Sequence, residues 1–357
     1  MAYTNIDDPS AYFQTKVYTG TNANQSITND GNSDLQPDLI FASYRTTPPY
    51  TNHRAIIDSS RGRAKILESD TTAAEATTTN AAYDLVSFDT DGFTVGAVNS
   101  TSALNASGIS NVAWQWKANG GTTSSNTDGG ITTTVQVNSD AGFSIVTWAG
   151  GGTGSLGHGL GEVPDMWIVK NRDYAVSWAV GFSDSSILGG TSNYLSLNTT
   201  GAIATYNNIW GSSPVNSSVI TMAGDRSVNI SGDDYVAYFF KAKQGYSKFG
   251  SYVGNGNANG AFVYTGFKPA FVMTKNTSAT DSWVIMDEKR SPSNVANKYL
   301  LADTSGAEGT NFDMFDFVSN GFKCRRATSQ NASGNTFIYM AFAENPFVAG
   351  GIPTTAR

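Results

Sequence analysis

Asn105-Ala-Ser-Gly-Ile-Ser-Asn-Val-Ala-Trp-Gln-Trp-Lys-Ala118 is the stretch on which the fold turns. An Asn-X-Ser-Gly turn leads into a strand-length run in which Trp114 and Trp116 occupy alternate positions and so share one face. The same pattern returns as Asn229-Ile-Ser-Gly-Asp-Asp-Tyr-Val-Ala-Tyr-Phe-Phe-Lys-Ala242 and as Asn331-Ala-Ser-Gly-Asn-Thr-Phe-Ile-Tyr-Met-Ala-Phe-Ala343. In the second copy Tyr238 and Phe240 take the places of the two tryptophans. Aromatic side chains bury roughly 150–250 Å² each, so this strand is expected to staple the core of a β unit written three times.

Upstream of each closing strand lie matching pieces. A run entered through a proline reads Gln36-Pro-Asp-Leu-Ile-Phe-Ala-Ser-Tyr-Arg45, Val163-Pro-Asp-Met-Trp-Ile-Val-Lys-Asn-Arg172 and Lys268-Pro-Ala-Phe-Val-Met-Thr-Lys-Asn276; the third lacks the acidic residue and the arginine. His53-Arg-Ala-Ile-Ile-Asp58, Ser177-Trp-Ala-Val-Gly-Phe182 and Ser282-Trp-Val-Ile-Met-Asp287 form a second set of strand-length apolar runs. Asp91-Gly92 and Asn320-Gly321 sit between apolar alternations, a strong hairpin signal because a type I′ turn needs positive φ at both central residues. The second copy has lost that hairpin, keeping only Val219-Ile-Thr-Met222. From opening proline to closing strand the copies span 80, 77 and 73 residues, each the size of a domain.

The fold class read from this is all-β, with three tandem antiparallel β-sandwich domains of jelly-roll or lectin-like type. Repeat 1 with its N-terminal segment takes residues 1–118, and 119–140, rich in Gly, Ser and Thr, has the composition of a flexible linker. Repeat 2 takes 141–243, repeat 3 takes 244–346, and 347–357 is a tail without pattern. The segment before Phe13 carries little core pattern and is expected to act as an attachment peptide ordered by a partner.

Composition supports a turn-rich globular protein. Ser, Thr, Asn and Gly make up 146 of 357 residues, while charged residues are only 14%, which excludes a charge-rich disordered chain or a coiled coil. The net charge of -7 argues against nucleic acid and anionic membranes as partners. Cys324 is the single cysteine, so no internal disulfide forms, and its place in Phe322-Lys-Cys324 reads as a strand. The opening Met1-Ala-Tyr-Thr-Asn-Ile-Asp-Asp-Pro9 has neither the basic nor the apolar region of a signal peptide, so synthesis in the cytosol is expected. No apolar run is long enough to span a bilayer as a helix.

The residues offer little catalytic chemistry. His53 and His158 are the two histidines, with no ligand at zinc spacing, and both read as surface or loop residues. The glycine-rich 150–161 segment lacks the Gly-Lys-Ser/Thr and helix of a phosphate loop and reads as a long hairpin connection. Glycoside hydrolysis needs two carboxylates about 5–9.5 Å apart across a cleft, but Asp287 and Glu288 point to opposite faces and Asp89 and Asp91 make a turn. No enzyme is expected, and no cofactor beyond a structural calcium ion, for which Asp233-Asp234 or the Asp89/Asp91 loop offers oxygen ligands. Carbohydrate binding would use loop aromatics to stack on sugar rings, and Tyr44, Tyr50, Tyr206 and Trp210 are the residues assigned to it.

The opening Tyr12-Phe-Gln-Thr-Lys-Val-Tyr-Thr-Gly20, the Pro-Asp strand with its Lys-Asn-Arg ending, the Ser87-Phe-Asp-Thr-Asp-Gly-Phe93 hairpin and the Val112-Ala-Trp-Gln-Trp-Lys-Ala118 strand together resemble a lectin-like domain repeated in virion structural proteins of marine tailed bacteriophages. The resemblance covers nearly the whole chain and implies a non-enzymatic virion component, as tail fibre, tail accessory or capsid decoration. The partners it implies are other virion proteins and further copies of the chain. A host-surface carbohydrate-binding adhesin, with host glycans as partners, is the alternative, and a polysaccharide depolymerase ranks third.

Overall fold

The computed structural model describes residues 4, 6–46, 53–80, 82, 84–98, 104–190, 192–212 and 215–345, with the backbone of 348–349 and 352–353. The first repeat contains β1 (Phe13–Thr19), β2 (Gln25–Ile27), β3 (Leu39–Tyr44), β4 (Ala55–Asp58), β5 (Lys65–Glu68), β6 (Ala76–Thr77), β7 (Leu85–Asp89), β8 (Gly92–Val95) and β9 (Ser110–Trp116). A hairpin of β10 (Ser124–Asn126) and β11 (Thr133–Asn138) leads to the second, with β12 (Phe143–Ala149), β13 (Gly154–Gly157), β14 (Met166–Asn171), β15 (Ala179–Phe182), a short α1 (Ser185–Leu188), β16 (Asn193–Ser196), β17 (Ala204–Thr205), β18 (Val219–Met222) and β19 (Asp234–Phe240). The third holds β20 (Ser247–Val253), β21 (Phe262–Tyr264), β22 (Phe271–Asn276), β23 (Val284–Asp287), β24 (Leu300–Leu301), β25 (Phe315–Val318), β26 (Gly321–Cys324) and β27 (Thr336–Phe342).

The chain is all-β, built from antiparallel sheets, and one strand order is written three times. It reads β1-β9-β3-β4-β5, then β12-β19-β14-β15-β16, then β20-β27-β22-β23-β24. The aromatic closing strand lies second in each copy of this five-strand order, as in the β9 pairing of Trp114 with Thr15 on one side and Phe41 on the other. A smaller sheet accompanies each: β2-β8-β7, β13-β18 and β21-β26-β25.

Each large sheet is buried on both faces, and alternation along the strands sorts the side chains. Ile40, Ala42, Ile57 and Ala113 meet the small sheet through Phe93 and Val95. Leu39, Phe41, Ile56, Trp114 and Trp116 point the other way, into one cluster shared with Ile168, Tyr238 and Phe240 of the second repeat and Phe271, Met340 and Phe342 of the third. The Phe342 ring stands 5.5 Å from Trp116 and 6.0 Å from Phe240. The paired aromatics therefore share one face as expected, but they staple the repeats to one another, not each repeat to itself. A strand buried on two faces needs apolar residues at consecutive positions, and Leu39–Tyr44, Met166–Asn171 and Phe271–Asn276 are buried throughout.

The expected linker is an ordered part of the fold. β11 pairs with β12, extending the second large sheet, and the Asp38 carboxylate accepts the N–H groups of Ala118, Gly120 and Gly121 at 2.7, 2.9 and 2.8 Å. Composition misleads here because the glycines serve φ of +61° and +79° at the clamped turn. Limited proteolysis of the folded protein is expected to leave 119–140 intact under conditions that nick exposed loops; cleavage there ahead of other sites would contradict the clamp. The N-terminal segment is likewise held by its own chain, with Ile6 in the shared core and the Thr4 hydroxyl donating to the Gln244 carbonyl at 2.5 Å. The tail is not without pattern: β28 (Val348–Ala349) pairs with β29 (Ile352–Pro353).

Two seams between repeats repeat one polar design. At the first, Asp58 accepts Arg61 Nε at 2.6 Å and the Tyr238 hydroxyl at 2.8 Å, while Glu75 bridges Arg61 at 2.8 Å and Arg172 at 2.9 Å. At the seam that joins repeat 3 back to repeat 1, Asp287 accepts Arg290 Nε at 2.5 Å and Trp114 Nε1 at 2.9 Å, while Glu308 bridges Arg290 at 3.1 Å and Arg45 at 2.9 Å. The side chains of Asp58, Arg61, Asp287 and Arg290 are wholly buried. Between repeats 2 and 3 the positions matching Asp58, Arg61 and Tyr238 hold Phe182, Ser185 and Met340.

A second set of bonds runs around the ring. Trp178 Nε1 donates to the Glu68 carbonyl of repeat 1 at 2.9 Å, and Trp283 Nε1 to the Ser196 carbonyl of repeat 2 at 2.9 Å. The matching residue in repeat 1 is Arg54, whose Nε donates to the Leu301 carbonyl of repeat 3 at 2.8 Å. Beside the two tryptophans, Lys170 donates to four carbonyls, Asn171 and Val176 at 2.9 Å, Thr72 at 3.2 Å and Tyr174 at 3.3 Å, and Lys275 to three, at 2.8–3.0 Å. Burial pulls both amines down to about 8, leaving them charged at neutral pH. Repeat 1 has Ser43 where those lysines stand, and the Arg54 guanidinium takes over their bonds, reaching Ser43 Oγ and the carbonyls of Tyr44 at 3.5 Å and Gly306 at 2.6 Å.

Candidate functional site

The sequence-assigned aromatics fall in different places. Tyr44 ends β3 and is buried; its hydroxyl donates to the Ser305 carbonyl and the Arg54 guanidinium lies 5.4 Å from its ring. It belongs to the seam between repeats 1 and 3, and burial raises its pKa. Tyr50 lies outside the described residues. Tyr206 is exposed, and Trp210 is buried, its Nε1 donating to the Asn193 carbonyl at 3.0 Å. Trp210 packs edge-on against Trp167, with centroids 5.5 Å apart and planes at 84°. The loop aromatic expected to lie open for stacking is thus a wall of the second repeat's outer core, because indole area buries more readily than it stays in water.

Those two tryptophans line a cleft of about 450 Å³. Phe182 and Ile220 add apolar wall, and the polar lining comes from Ser183, Asp184, Ser185 and Thr221. The volume is in the range of small-molecule sites. Its origin is a local departure from the repeat. In the other repeats a third strand, β7 or β25, completes the small sheet, whereas here, among the described residues, the sheet ends at β18 with a bridge from Trp210 to Met222 beside it. The cross-strand pair beneath also differs: Trp167 faces Gly181, where the matching pairs are Ile40 with Ile57 and Val272 with Met286. A Cβ on Gly181 would stand 2.5 Å from the Trp167 indole, so glycine is what lets that ring lie across the neighbouring strand.

Asp184 caps α1, its Oδ1 accepting the Ser186 N–H at 2.9 Å and the Ser186 hydroxyl at 2.6 Å. Those bonds hold its carboxyl below the usual range. Its Oδ2 has no partner among the described residues, and the buried Nε1 of Trp167 has none either. The sequence signal for this place was the loss of the hairpin in the second copy; Trp167, Gly181 and Asp184 could not be singled out without the pairing that joins them.

The remaining residues weighed for chemistry have structural uses. Asp89 accepts the hydroxyls of Ser87 and Thr94 at 2.6 and 2.7 Å, Asp91 accepts the Leu35 N–H at 3.2 Å, and Asp233 accepts Asn171 Nδ2 at 2.8 Å. Among the described residues no three His, Cys, Asp or Glu side chains converge on a metal position. Cys324 is buried in β26, and burial pushes its thiol up to about 12. His53 is partly exposed and contacts Asp70 at 2.9 Å. His158, read as a surface or loop residue, does lie in the loop after β13 but is buried there. Its Nε2 lies 3.0 Å from the Asn216 carbonyl and its Nδ1 accepts the Leu160 N–H at 3.3 Å, which fixes a neutral Nε2–H ring.

Burial lowers the His158 pKa below its ordinary 6.5. The unfolded chain therefore binds the extra proton more readily, and the stability of the neutral ring, fully present above pH 6.5, is lost as pH falls below that value. Thermal melts at pH 7.5 and 5.0 are expected to show a larger loss of Tm for the native chain than for His158→Gln; equal losses would remove the histidine from the acid response.

Comparison with known proteins adds a family but no activity. Neither a curated protein nor a solved structure is matched by the chain. One family model matches residues 8–346, spanning all three repeats, and the chain belongs to that family, described as a domain of unknown function, DUF7483.

Proposed function

We propose that the chain is a non-enzymatic structural protein on the exterior of a bacteriophage particle, as tail fibre, tail accessory or capsid decoration. In this reading three sandwich domains act as one rigid block that contacts other virion proteins and further copies of the chain, and presents its loops outward. The observation that carries it is the ring: repeats 1 and 3, far apart in sequence, are joined by the buried Asp287, Arg290, Glu308 and Arg45 set, so the block resists separation of its parts. The buried arginines and carboxylates of the two polar seams are committed to holding the repeats together. Particles purified from a lysate of the encoding phage are expected to carry the protein, seen by mass spectrometry and by immunogold labelling of the surface. Its absence from purified particles, with the protein abundant in the lysate, would reject the proposal.

A second reading, a host-surface carbohydrate-binding adhesin, is favoured by one feature, the cleft of the second repeat. The two readings are compatible, since a surface component of a particle is where a receptor-binding cleft would be of use.

A further inference from the structure

We infer that the cleft beside Trp167 and Trp210 binds one or two units of a neutral saccharide. The inference takes the adhesin reading for its setting only; the binding is a property of the isolated protein. Within the chain, the other two repeats serve as internal comparisons. At the matching place they carry a third strand in the small sheet and the cross-strand pairs Ile40 with Ile57 and Val272 with Met286. The second repeat has instead a tryptophan over a glycine, a second tryptophan held at right angles by its bond to Asn193, and an open volume of about 450 Å³. Filling that volume with one more strand would have buried more apolar area, so its persistence points to an occupant.

The lining sets the chemical class. Apolar wall from Trp167, Phe182, Trp210 and Ile220 suits the C–H faces of a pyranose, and the hydroxyls of Ser183, Ser185 and Thr221 suit its OH groups. The free Oδ2 of Asp184 is an acceptor for a sugar hydroxyl. Among the described residues no Lys, Arg or His lines the cleft, and the chain carries a net charge of -7, so phosphate, sulfate and uronate groups find no counter-charge there.

The test uses the full chain with glucose, galactose, mannose and their di- and trisaccharides, and with sulfated and uronic acid counterparts, read by saturation-transfer NMR and tryptophan fluorescence titration. Binding of at least one neutral sugar in about the millimolar range is expected. Ser185→Trp, an exposed position at the cleft, is expected to weaken it at least about tenfold with the fold unchanged by circular dichroism, and Asp184→Asn, which keeps the cap acceptor, by about three- to tenfold. Trp210→Ala is expected to abolish binding, but because it removes buried wall, Ser185→Trp carries the decision. The inference is overturned if the folded native chain binds none of the neutral sugars, if Ser185→Trp binds them as well as the native chain does, or if the anionic counterparts bind more tightly. None of these outcomes bears on whether the protein is found in particles, and its absence from particles would leave the sugar result standing.

Discussion

Asp58→Ala is expected to destabilise the protein by about 3–5 kcal/mol, because it strands a wholly buried guanidinium. Arg61 would keep Glu75, but Glu75 is shared with Arg172, and the Tyr238 hydroxyl would lose its acceptor as well. The effect should register as a lower denaturant midpoint with unchanged slope. Asp287→Ala is expected to act similarly at the other polar seam, stranding Arg290 and the Trp114 N–H. The seam between repeats 2 and 3 suggests the control. There Phe182 and Met340 stand in the shared core where the other seams have the carboxylate and its partner, and the position of the arginine holds an exposed Ser185, so Asp58→Leu combined with Arg61→Met should recover at least half of the loss. If Asp58→Ala costs less than about 1 kcal/mol, the seam does not hold the ring together in the way its geometry implies.

Arg54→Met is the second large effect, about 3 kcal/mol or more, since it removes a buried guanidinium that serves three carbonyls and a hydroxyl. Burial draws that group down to about 10, so it remains charged at neutral pH and its loss is also the loss of a cation facing Asp70 and Asp303. The repeats name the compensation. Trp178 with Lys170, and Trp283 with Lys275, do jointly what Arg54 does alone. Arg54→Trp with Ser43→Lys should therefore be more stable than Arg54→Trp by at least about 1 kcal/mol, a coupling that a double-mutant cycle measures. Simple additivity of the two changes would show that the correspondence is positional only.

How far the sequence could be read is clear from particular residues. The thrice-written strand, the β7–β8 and β25–β26 hairpins and the all-β class were legible because alternation is local, but the type I′ reading of their turns was not right: the loop residues are Thr90-Asp91 and Ser319-Asn320, none of them at positive φ, and the two glycines begin the returning strands. The ring was not, because it depends on which faces meet, and two-sided burial of Leu39–Tyr44 and its counterparts was a signal read only as strand. Departures from the repeat proved more informative than the repeat. Ala270 replaces Asp38 and Asp165, which clamp the chain as it leaves repeats 1 and 2; Asp165 holds the Ala242 N–H at 2.6 Å, and an alanine offers no such acceptor at the matching place in repeat 3. Thr277 replaces Arg45 and Arg172, which reach back to the preceding repeat, at the seam where the described residues show no such carboxylate bridge. The lost hairpin of the second copy marks the cleft. Of the four aromatics assigned to a ligand, Trp210 lines it, Tyr44 stands in a seam, Tyr206 is exposed outside the lining and Tyr50 is not described.

The Arg45 to Glu308 bond also sets an order of events during biosynthesis. A ribosome delivers Arg45 and Arg54 early and the acceptors at 301–308 late, so the first repeat waits, with its inner sheet face uncovered, until the final third of the polypeptide has emerged. Contacts this distant along the chain slow closure and lengthen the interval in which nascent molecules can stick to each other. Recombinant yield should therefore respond more to slower translation or lower growth temperature than to solubilising tags.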